Sequence, residues 1–431
     1  MDNNNNNNRW YLEKLNETMN IIINRHAVLK LYFIEKEIDG NKKIYGKVRE
    51  NVSFEVEKYS EKNFYKFIRP FDITKDVLIR VGLINKSILM IDMDHRISDG
   101  YSFGILIKEL YDLVNNKPLN ELPIQYMGSN SESVKEQLKY YQSMFDVPCD
   151  RIDLPTKKNN KSKKINEKKK FNSVTMSIDT ETYDIINNIT KKYNIFKTAL
   201  FLVVYNLVLS MYSGKKNIFN AIISSNRTSE NTENLIGIFA RYMPILVKIE
   251  DINLTDIIKK YMTTILTIIN DDISFSTVTE ELNLPQCNSW FKFDPYDLMN
   301  NDELDMGTTV NPNDILQTLG RKNLRAMNNL RKMKNSVDLF TLNNSLDFIF
   351  IVSEKKDHYI IKFLYNNEKY EISLISDMLN DFIRIVKQED NIQKNITDIS
   401  TVNEKSGNEE LKNEIQTSKK EKSSNIFKKK N

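Results

Sequence analysis

Ser87-Ile88-Leu89-Met90-Ile91-Asp92-Met93-Asp94-His95-Arg96-Ile97-Ser98-Asp99-Gly100-Tyr101-Ser102-Phe103 decides how this chain is read. An apolar run of strand length comes first, then a histidine, then an Asp-Gly pair that marks a turn. Beyond the glycine, Phe103, Leu106, Ile107, Leu110 and Val114 recur at helical spacing. They predict the buried stripe of a helix starting just after Gly100. The stretch is therefore strand, turn and helix, with His95 at the end of the strand. The chain has only three histidines. An imidazole on a turn between two rigid elements is well placed for general-base work. A histidine in such a place is more often structural, so the motif needs support from the rest of the chain.

Working outward, Ile79–Ile84 reads as the strand that pairs with Ile88–Met93 across Asn85-Lys86. Leu12, Leu15, Met19 and Ile22 give an amphipathic helix from Trp10 to about Asn24. Ala27–Phe33 and Lys43–Val56 read as strands around a turn at Asp39-Gly40, and Gln137–Phe145 as a short helix. From Lys157 to Lys170 eight lysines stand against one acid, with almost no apolar residue, which reads as a linker. After it come a strand at Val174–Ile178 and helices at Thr182–Tyr193 and Lys197–Tyr212. The second helix is nearly all apolar and ends at Gly214. Strands follow at Ile218–Ser224 and Tyr242–Ile249, then a helix at Thr255–Ile269, a hairpin of Leu346–Ser353 with Tyr359–Tyr365, and a helix at Leu374–Val386. Helices and strands thus recur on both sides of the lysine run. The chain divides into a disordered Asn-rich lead (1–9), a first α/β lobe (10–156), a lysine-rich linker (157–172), a second α/β lobe (173–400) and a disordered charged tail (401–431).

The length of 431 residues suffices for two core-bearing lobes, and 40% apolar with 28% charged residues is a globular composition. A net charge of +4 points to neither nucleic acid nor an anionic membrane as a partner. The basic runs lack the interleaved aromatics of a nucleic-acid site. Two cysteines, Cys149 and Cys287, give no metal spacing and fit a reducing, cytoplasmic compartment. No apolar run reaches the length of a membrane span. With 11 glycines and no phosphate-binding loop, nothing marks a nucleotide, metal or flavin site. His26 reads as structural, and His358 as an exposed hairpin-turn residue.

Several stretches resemble one family, the condensation domains of nonribosomal peptide synthetases, within the chloramphenicol acetyltransferase-like acyltransferases. The family hallmark His-His-x-x-x-Asp-Gly stands here as Asp94-His95-Arg96-Ile97-Ser98-Asp99-Gly100. Arg25-His26-Ala27-Val28-Leu29-Lys30 resembles Arg-His-x-x-Leu-Arg, and Phe71-Asp72-Ile73 through Leu78-Ile79-Arg80 resembles Phe-Asp-Leu … Pro-Leu-Arg. Leu122-Pro123-Ile124-Gln125-Tyr126 and Asp153-Leu154-Pro155-Thr156 resemble the segments that close the first lobe. Ser224 to Arg227 resembles a strand end that carries a family arginine. Ile236-Gly237-Ile238-Phe239 with Met243-Pro244-Ile245 resembles Ile-Gly-x-Phe-Val-Asn-Thr-x-Pro-Leu. The ordered set covers residues 10 to 390.

The resemblance implies an α/β fold of two chloramphenicol acetyltransferase-like lobes in a V-shaped pseudo-dimer, each a mixed sheet flanked by helices. It implies an acyltransferase that forms an amide or ester between a phosphopantetheine-bound acyl thioester and an acceptor amine or alcohol. Carrier proteins in trans, or small-molecule donors and acceptors including CoA thioesters, are the implied partners of a monomer without a covalently bound cofactor. His95 and Gly100 are the implied catalytic residues, with Gly100 permitting a tight turn and offering its amide to the reacting carbonyl. Asp99 and Arg227 are implied to pair as structural residues across the lobe interface. Ser98 lacks an activating base. The chain also departs from the pattern. Asp94 replaces the first histidine, and a carboxylate there tends to favour imidazolium unless strand alternation separates the two side chains. Arg241 stands where the family has asparagine, and Asp271 to Ser276 lacks the histidine and proline of a later motif. The family's N-terminal motif and its strand are missing, which leaves an expected open sheet edge. These departures keep two alternatives open: a catalytically degenerate domain that binds a carrier or another protein, and a free-standing acyl-CoA-dependent acyltransferase. Asp294 to Asp338 fits the family poorly.

Overall fold

Two apolar runs around Asn85, whose backbone is left-handed (φ 47°), make the antiparallel pair that carries the site. The computed structural model describes residues 12–38, 40–60, 62–67, 69–85, 88–125, 134–157, 171–227, 230–269, 273–295 and 346–401. The expected lead, linker and tail lie almost wholly outside the described residues, as do 296–345.

In the first unit, helix α1 (Leu12–Arg25) buries Leu15, Met19, Ile22 and Ile23. The hairpin of β1 (Leu31–Ile38) and β2 (Asn41–Val48) turns at Gly40, where φ is +75°. A three-stranded sheet runs β3 (Glu57–Tyr59), β4 (Ile79–Ile84), β5 (Ile88–Met93), with β3 parallel and β5 antiparallel to β4. Every residue of β4 is buried. Helix α2 (Gly100–Val114) follows β5 after a six-residue connection. The stretch Ala27–Lys30, expected as strand, is a 3-10 turn, and 49–56 is irregular. Here side chains replace the ladder: Asn16, Asn20 and Asn24 on α1 accept the amides of Val56, Phe54 and Val52 at 2.7–2.9 Å.

In the second unit a six-stranded mixed sheet has the order β6, β11, β10, β9, β7, β8. These are β6 (Phe171–Ile178), β7 (Asn217–Ser224), β8 (Arg241–Lys248), β9 (Ser289–Asp294), β10 (Phe348–Glu354) and β11 (Tyr359–Asn366). Its helices include α3 (Val134–Met144), α4 (Thr180–Tyr193), α5 (Lys197–Ser213), α6 (Leu254–Ile268), α7 (Phe275–Glu281) and a long C-terminal helix, Ile372–Lys387. Helix α5 is enclosed from Ala199 to Leu209, as its unbroken apolar run predicts. No single described helix is long and apolar enough to cross a membrane.

The units are discontinuous in sequence. Described residues up to 125 and those of 223–242 form the first; 134–157, 171–222, 243–294 and 346–401 form the second. Residues 134–156, placed with the first lobe by the sequence division, therefore pack with the second unit. Backbone and side chain explain this. Asn288 exchanges hydrogen bonds with both the amide and the carbonyl of Ile152, and Arg151 pairs with Asp347 at 2.6 Å.

Candidate active site

Strand β5 ends at Met93, and the next four residues form a closed turn. Asp94 organises it. Its amide donates back to the Leu78 carbonyl at 2.9 Å, which fixes the turn to the sheet. Its own carbonyl accepts from the Ile97 amide at 3.1 Å and the Ser98 hydroxyl at 3.2 Å. Its carboxylate takes the Arg96 amide at 2.9 Å and both arms of the Arg96 guanidinium at 2.8 and 2.7 Å. Burial raises the Asp94 carboxyl, but these hydrogen bonds and the Arg96 charge outweigh it and hold the group below the usual carboxylate range. The carboxylate expected to charge His95 is thus clasped by Arg96.

His95 is exposed on this turn. Its Nδ1 is in a short hydrogen bond with the Ser98 carbonyl. A carbonyl only accepts, so Nδ1 carries the proton, and in the neutral ring Nε2 holds the lone pair. Ile97, fully buried, anchors the turn in the first unit's core.

Asp99 ends the turn as the N-cap of α2. Its Oδ1 accepts from the Ser102 amide and lies 2.8 Å from the Ser102 hydroxyl. Its Oδ2 accepts from the amides of Phe239 and Ala240 at 3.0 and 3.2 Å. Arg227 Nη2 approaches Oδ1 at 3.3 Å, and both side chains are buried, at 3% and 0% exposure. The other guanidinium arm donates to the carbonyls of Thr232 and Leu235 at 2.6 and 2.7 Å. The rings of Tyr101 and Phe239 lie 4.4 and 4.2 Å from the guanidinium carbon. Burial raises the Asp99 carboxyl; the Ser102 amide, the Arg227 charge and the other donors overcome it and hold the group low. The pair lies wholly inside the first unit, because the segment that carries Arg227 is part of that unit.

Gly100 opens α2. Its φ is not left-handed, and a Cβ there meets no atom within 4 Å. The tight turn expected of this glycine is instead closed by hydrogen bonds from Asp94 and Asp99. As the first helical residue, Gly100 has an amide without an intrahelical acceptor. The buried face of α2 is also rotated from expectation. Ser102, Ile105, Leu106, Glu109 and Leu110 are buried, while Phe103 is 39% exposed. Polar anchors turn the helix: Ser102 Oγ contacts the Gly237 carbonyl and amide at 2.7 and 3.0 Å, and Glu109 takes Arg25 at 3.0 Å and buried His26 at 2.9 Å.

His26 and His358 lie apart from the site. His26 is locked to Glu109, and His358 pairs with Asp357 at 2.8 Å at the β10–β11 turn. Arg241 begins β8. Sequence reasoning missed Ser102, which a three-residue offset from an Asp N-cap signals. It also missed the Phe239 and Ala240 amides, which no side-chain pattern signals. Among the described residues no group of three or more metal-ligating side chains occurs, and both cysteines are free thiols. Burial pushes the Cys287 thiol up to about 12.

Comparison with known proteins adds to this geometry. A family model described as "Condensation domain" matches residues 7–411. Bacitracin synthase 1 of Bacillus licheniformis is 27% identical over 254 residues, 54% of this chain and 5% of the synthase. Surfactin synthase subunit 1 of Bacillus subtilis is 25% identical over 295 residues, 64% of the chain and 8% of the relative. The chain thus spans less than a tenth of the length of these relatives. Among solved structures, the condensation domain of the Monacolin K polyketide synthase MokA superposes with a TM-score of 0.67 at 14% identity, covering 90% of this chain and 91% of that one. The X-domain in a complex with OxyB from teicoplanin biosynthesis gives 0.64 at 13% identity, with 91% and 88% covered. A mixed α/β fold of sheets flanked by helices is common to all of them.

Proposed function

Because the chain belongs to the condensation-domain family, we propose that it forms amide bonds in nonribosomal peptide synthesis, joining a carrier-bound acyl thioester to an acceptor amine. The observation that carries this reading is the exposed His95 imidazole, whose Nδ1 is tied to the Ser98 carbonyl. A neutral ring so held offers Nε2 as the acceptor for a proton or as the anchor of an attacking amine.

The chemistry runs as an acyl transfer. The amine nitrogen attacks the thioester carbon and forms a C–N bond. His95 Nε2 holds the amine in line, or takes the proton it sheds. The intermediate collapses, the C–S bond breaks, and the phosphopantetheine thiolate leaves with a proton. The free amide of Gly100, at the positive end of α2, stands beside the same turn and suits the developing oxyanion. Asp99 and Arg227 are fully engaged with each other and with backbone groups, so they hold the turn and take no proton.

The donor is a phosphopantetheine thioester on a carrier protein in trans, or on CoA; an alcohol acceptor gives an ester by the same steps. Asp94 in place of the first family histidine favours a second reading, a binding module without chemistry. A neighbour of the same fold, the X-domain, is solved in a complex with OxyB. Against this reading stands the clasp of Asp94 by Arg96, which keeps the carboxylate from pairing with His95.

A mass-spectrometric transfer assay tests the proposal, with phosphopantetheine-loaded donors on carriers and on CoA, a panel of amines and alcohols, and His95→Ala as control. Product that falls about 10²–10⁴-fold in the variant supports it. Product that survives in His95→Ala refutes the role given to the histidine.

A further inference from the structure

The turn that carries His95 is built by a residue pair that the family motif does not contain. Asp94 makes two sets of bonds from two different groups. Its carboxylate receives the Arg96 amide at 2.9 Å, an Asx-turn that fixes the backbone on the far side of His95. Its carbonyl receives the Ile97 amide and the Ser98 hydroxyl. Together these bonds place the Ser98 carbonyl against His95 Nδ1. Arg96 then closes the carboxylate with a bidentate pair, the strongest geometry open to a guanidinium. Asp94 is little exposed, at 13%, whereas Arg96 is 52% exposed. The arginine therefore contributes more as a brace on the carboxylate than as a buried charge.

We propose that Asp94 and Arg96 are positioning residues that select the Nδ1–H tautomer of His95 by holding the Ser98 carbonyl in place. The value of that selection for catalysis rests on the acyl-transfer reading; the tautomer itself does not. A backbone acceptor at Nδ1 is the usual way a protein decides which imidazole nitrogen stays free. Here it depends on a turn that Asp94 closes at both ends. The charge pattern fits the same role. The carboxylate lies next to the histidine in sequence, but its charge is matched by Arg96, so Asp94 supplies geometry without adding net charge beside the ring.

The test is nitrogen-15 NMR of the full chain labelled on histidine, at a pH where the imidazoles are neutral. Three histidines make assignment direct, with His95→Ala identifying the signal. The wild type is expected to show His95 with a protonated Nδ1 and a bare Nε2. Asp94→Ala is expected to move His95 to a mixture of tautomers. Asp94→Asn, which retains an oxygen for the Arg96 amide, restores most of the wild-type pattern. Arg96→Ala shows an intermediate pattern and stands in for Asp94→Ala if that variant does not fold. In the transfer assay, Asp94→Ala lowers kcat about tenfold or more with KM nearly unchanged, and Asp94→Asn recovers most of the loss. A His95 spectrum identical to wild type in Asp94→Ala, or in Arg96→Ala where that variant stands in, overturns the proposal. So does a protonated Nε2 in the wild type. An inactive wild-type chain with the expected spectra sinks the acyl-transfer reading and leaves the tautomer assignment standing.

Discussion

Replacing Asp99 with alanine should destabilise the first unit while leaving the second intact. The substitution removes the N-cap of α2, worth about 1 kcal/mol. It also deprives the amides of Phe239 and Ala240 of their acceptor, at about 1 kcal/mol each where water does not enter. Above all it leaves Arg227 without its counter-ion at 0% exposure. Breaking a buried pair in this way costs about 3–5 kcal/mol. These terms overlap, and Arg227 keeps its two carbonyl partners and its flanking rings. The expected total is therefore about 4 kcal/mol, near the middle of the buried-pair range. Because the chain has two units, a single melting temperature does not report one equilibrium. Hydrogen exchange resolves the units separately. At about 1.4 kcal/mol per decade, amides of β4, β5 and α2 that exchange by opening of the unit should exchange about 10³-fold faster, and those of α5 and β10 at the wild-type rate. Acid gives the same information without mutation. Asp99 is held below its unfolded value near 3.9, so its contribution is fully present above about pH 4 and is lost as the pH falls through the native value. Asp99→Ala should flatten this acid limb for the first unit. Protection of β4 and α2 within threefold of wild type in Asp99→Ala refutes the assignment of the pair as structural.

The remaining predictions are read with the same tools. His95→Ala should change stability by less than about 0.5 kcal/mol, because the ring is exposed, while removing transfer; a comparable loss of stability would make His95 a structural residue. Gly82→Ala places a Cβ 2.8 and 2.9 Å from the Phe67 ring and 3.1 Å from Met90, so urea unfolding should show a loss of about 1–3 kcal/mol. Gly104→Ala adds a Cβ that meets nothing within 4 Å inside a helix, and the same measurement should show a gain of up to about 1 kcal/mol. Asp347→Ala strips one buried carboxylate from Arg151, Asn288 and Lys369, and the second unit alone should exchange faster, by about two decades.

The elements most legible in the sequence were those whose pattern has one physical solution. Ile79–Ile84 and Ile88–Met93 form the strands expected, residue for residue, because two apolar runs separated by an Asn turn can only pair back on each other. Helix α5 followed from an apolar run too long for a strand and ended by Gly214 at φ +71°. Strand β9 was missed because Ser289–Asp294 is short and pairs in parallel with β10, so no turn or hairpin partner announces it. The stripe of α2 was read one step out, because apolar spacing alone does not weigh Ser102 and Glu109 as buried anchors. At the site, His95, Asp99 and Arg227 were found through the resemblance to the family. The acceptors and donors that hold them are backbone groups of Ser98, Thr232, Leu235, Phe239 and Ala240, and backbone groups leave no signature in a sequence.

Two aspartates bracket His95, and each is closed by its own arginine. Asp94 reaches two residues forward to Arg96, and Asp99 reaches 128 residues forward to Arg227. The two pairs differ in what their loss would do. The Arg227 guanidinium is enclosed, so its partner cannot be replaced by water, and the pair fixes where α2 starts. The Arg96 guanidinium is half in solvent, so losing it costs little folding energy, and its effect falls on the turn alone. A substitution in the first pair should therefore be seen in stability before activity, and one in the second in the imidazole before stability. The replacement of the family's first histidine by Asp94 is compatible with a working site for this reason: the position builds the turn that presents His95, and a carboxylate braced by arginine can do that as well as an imidazole.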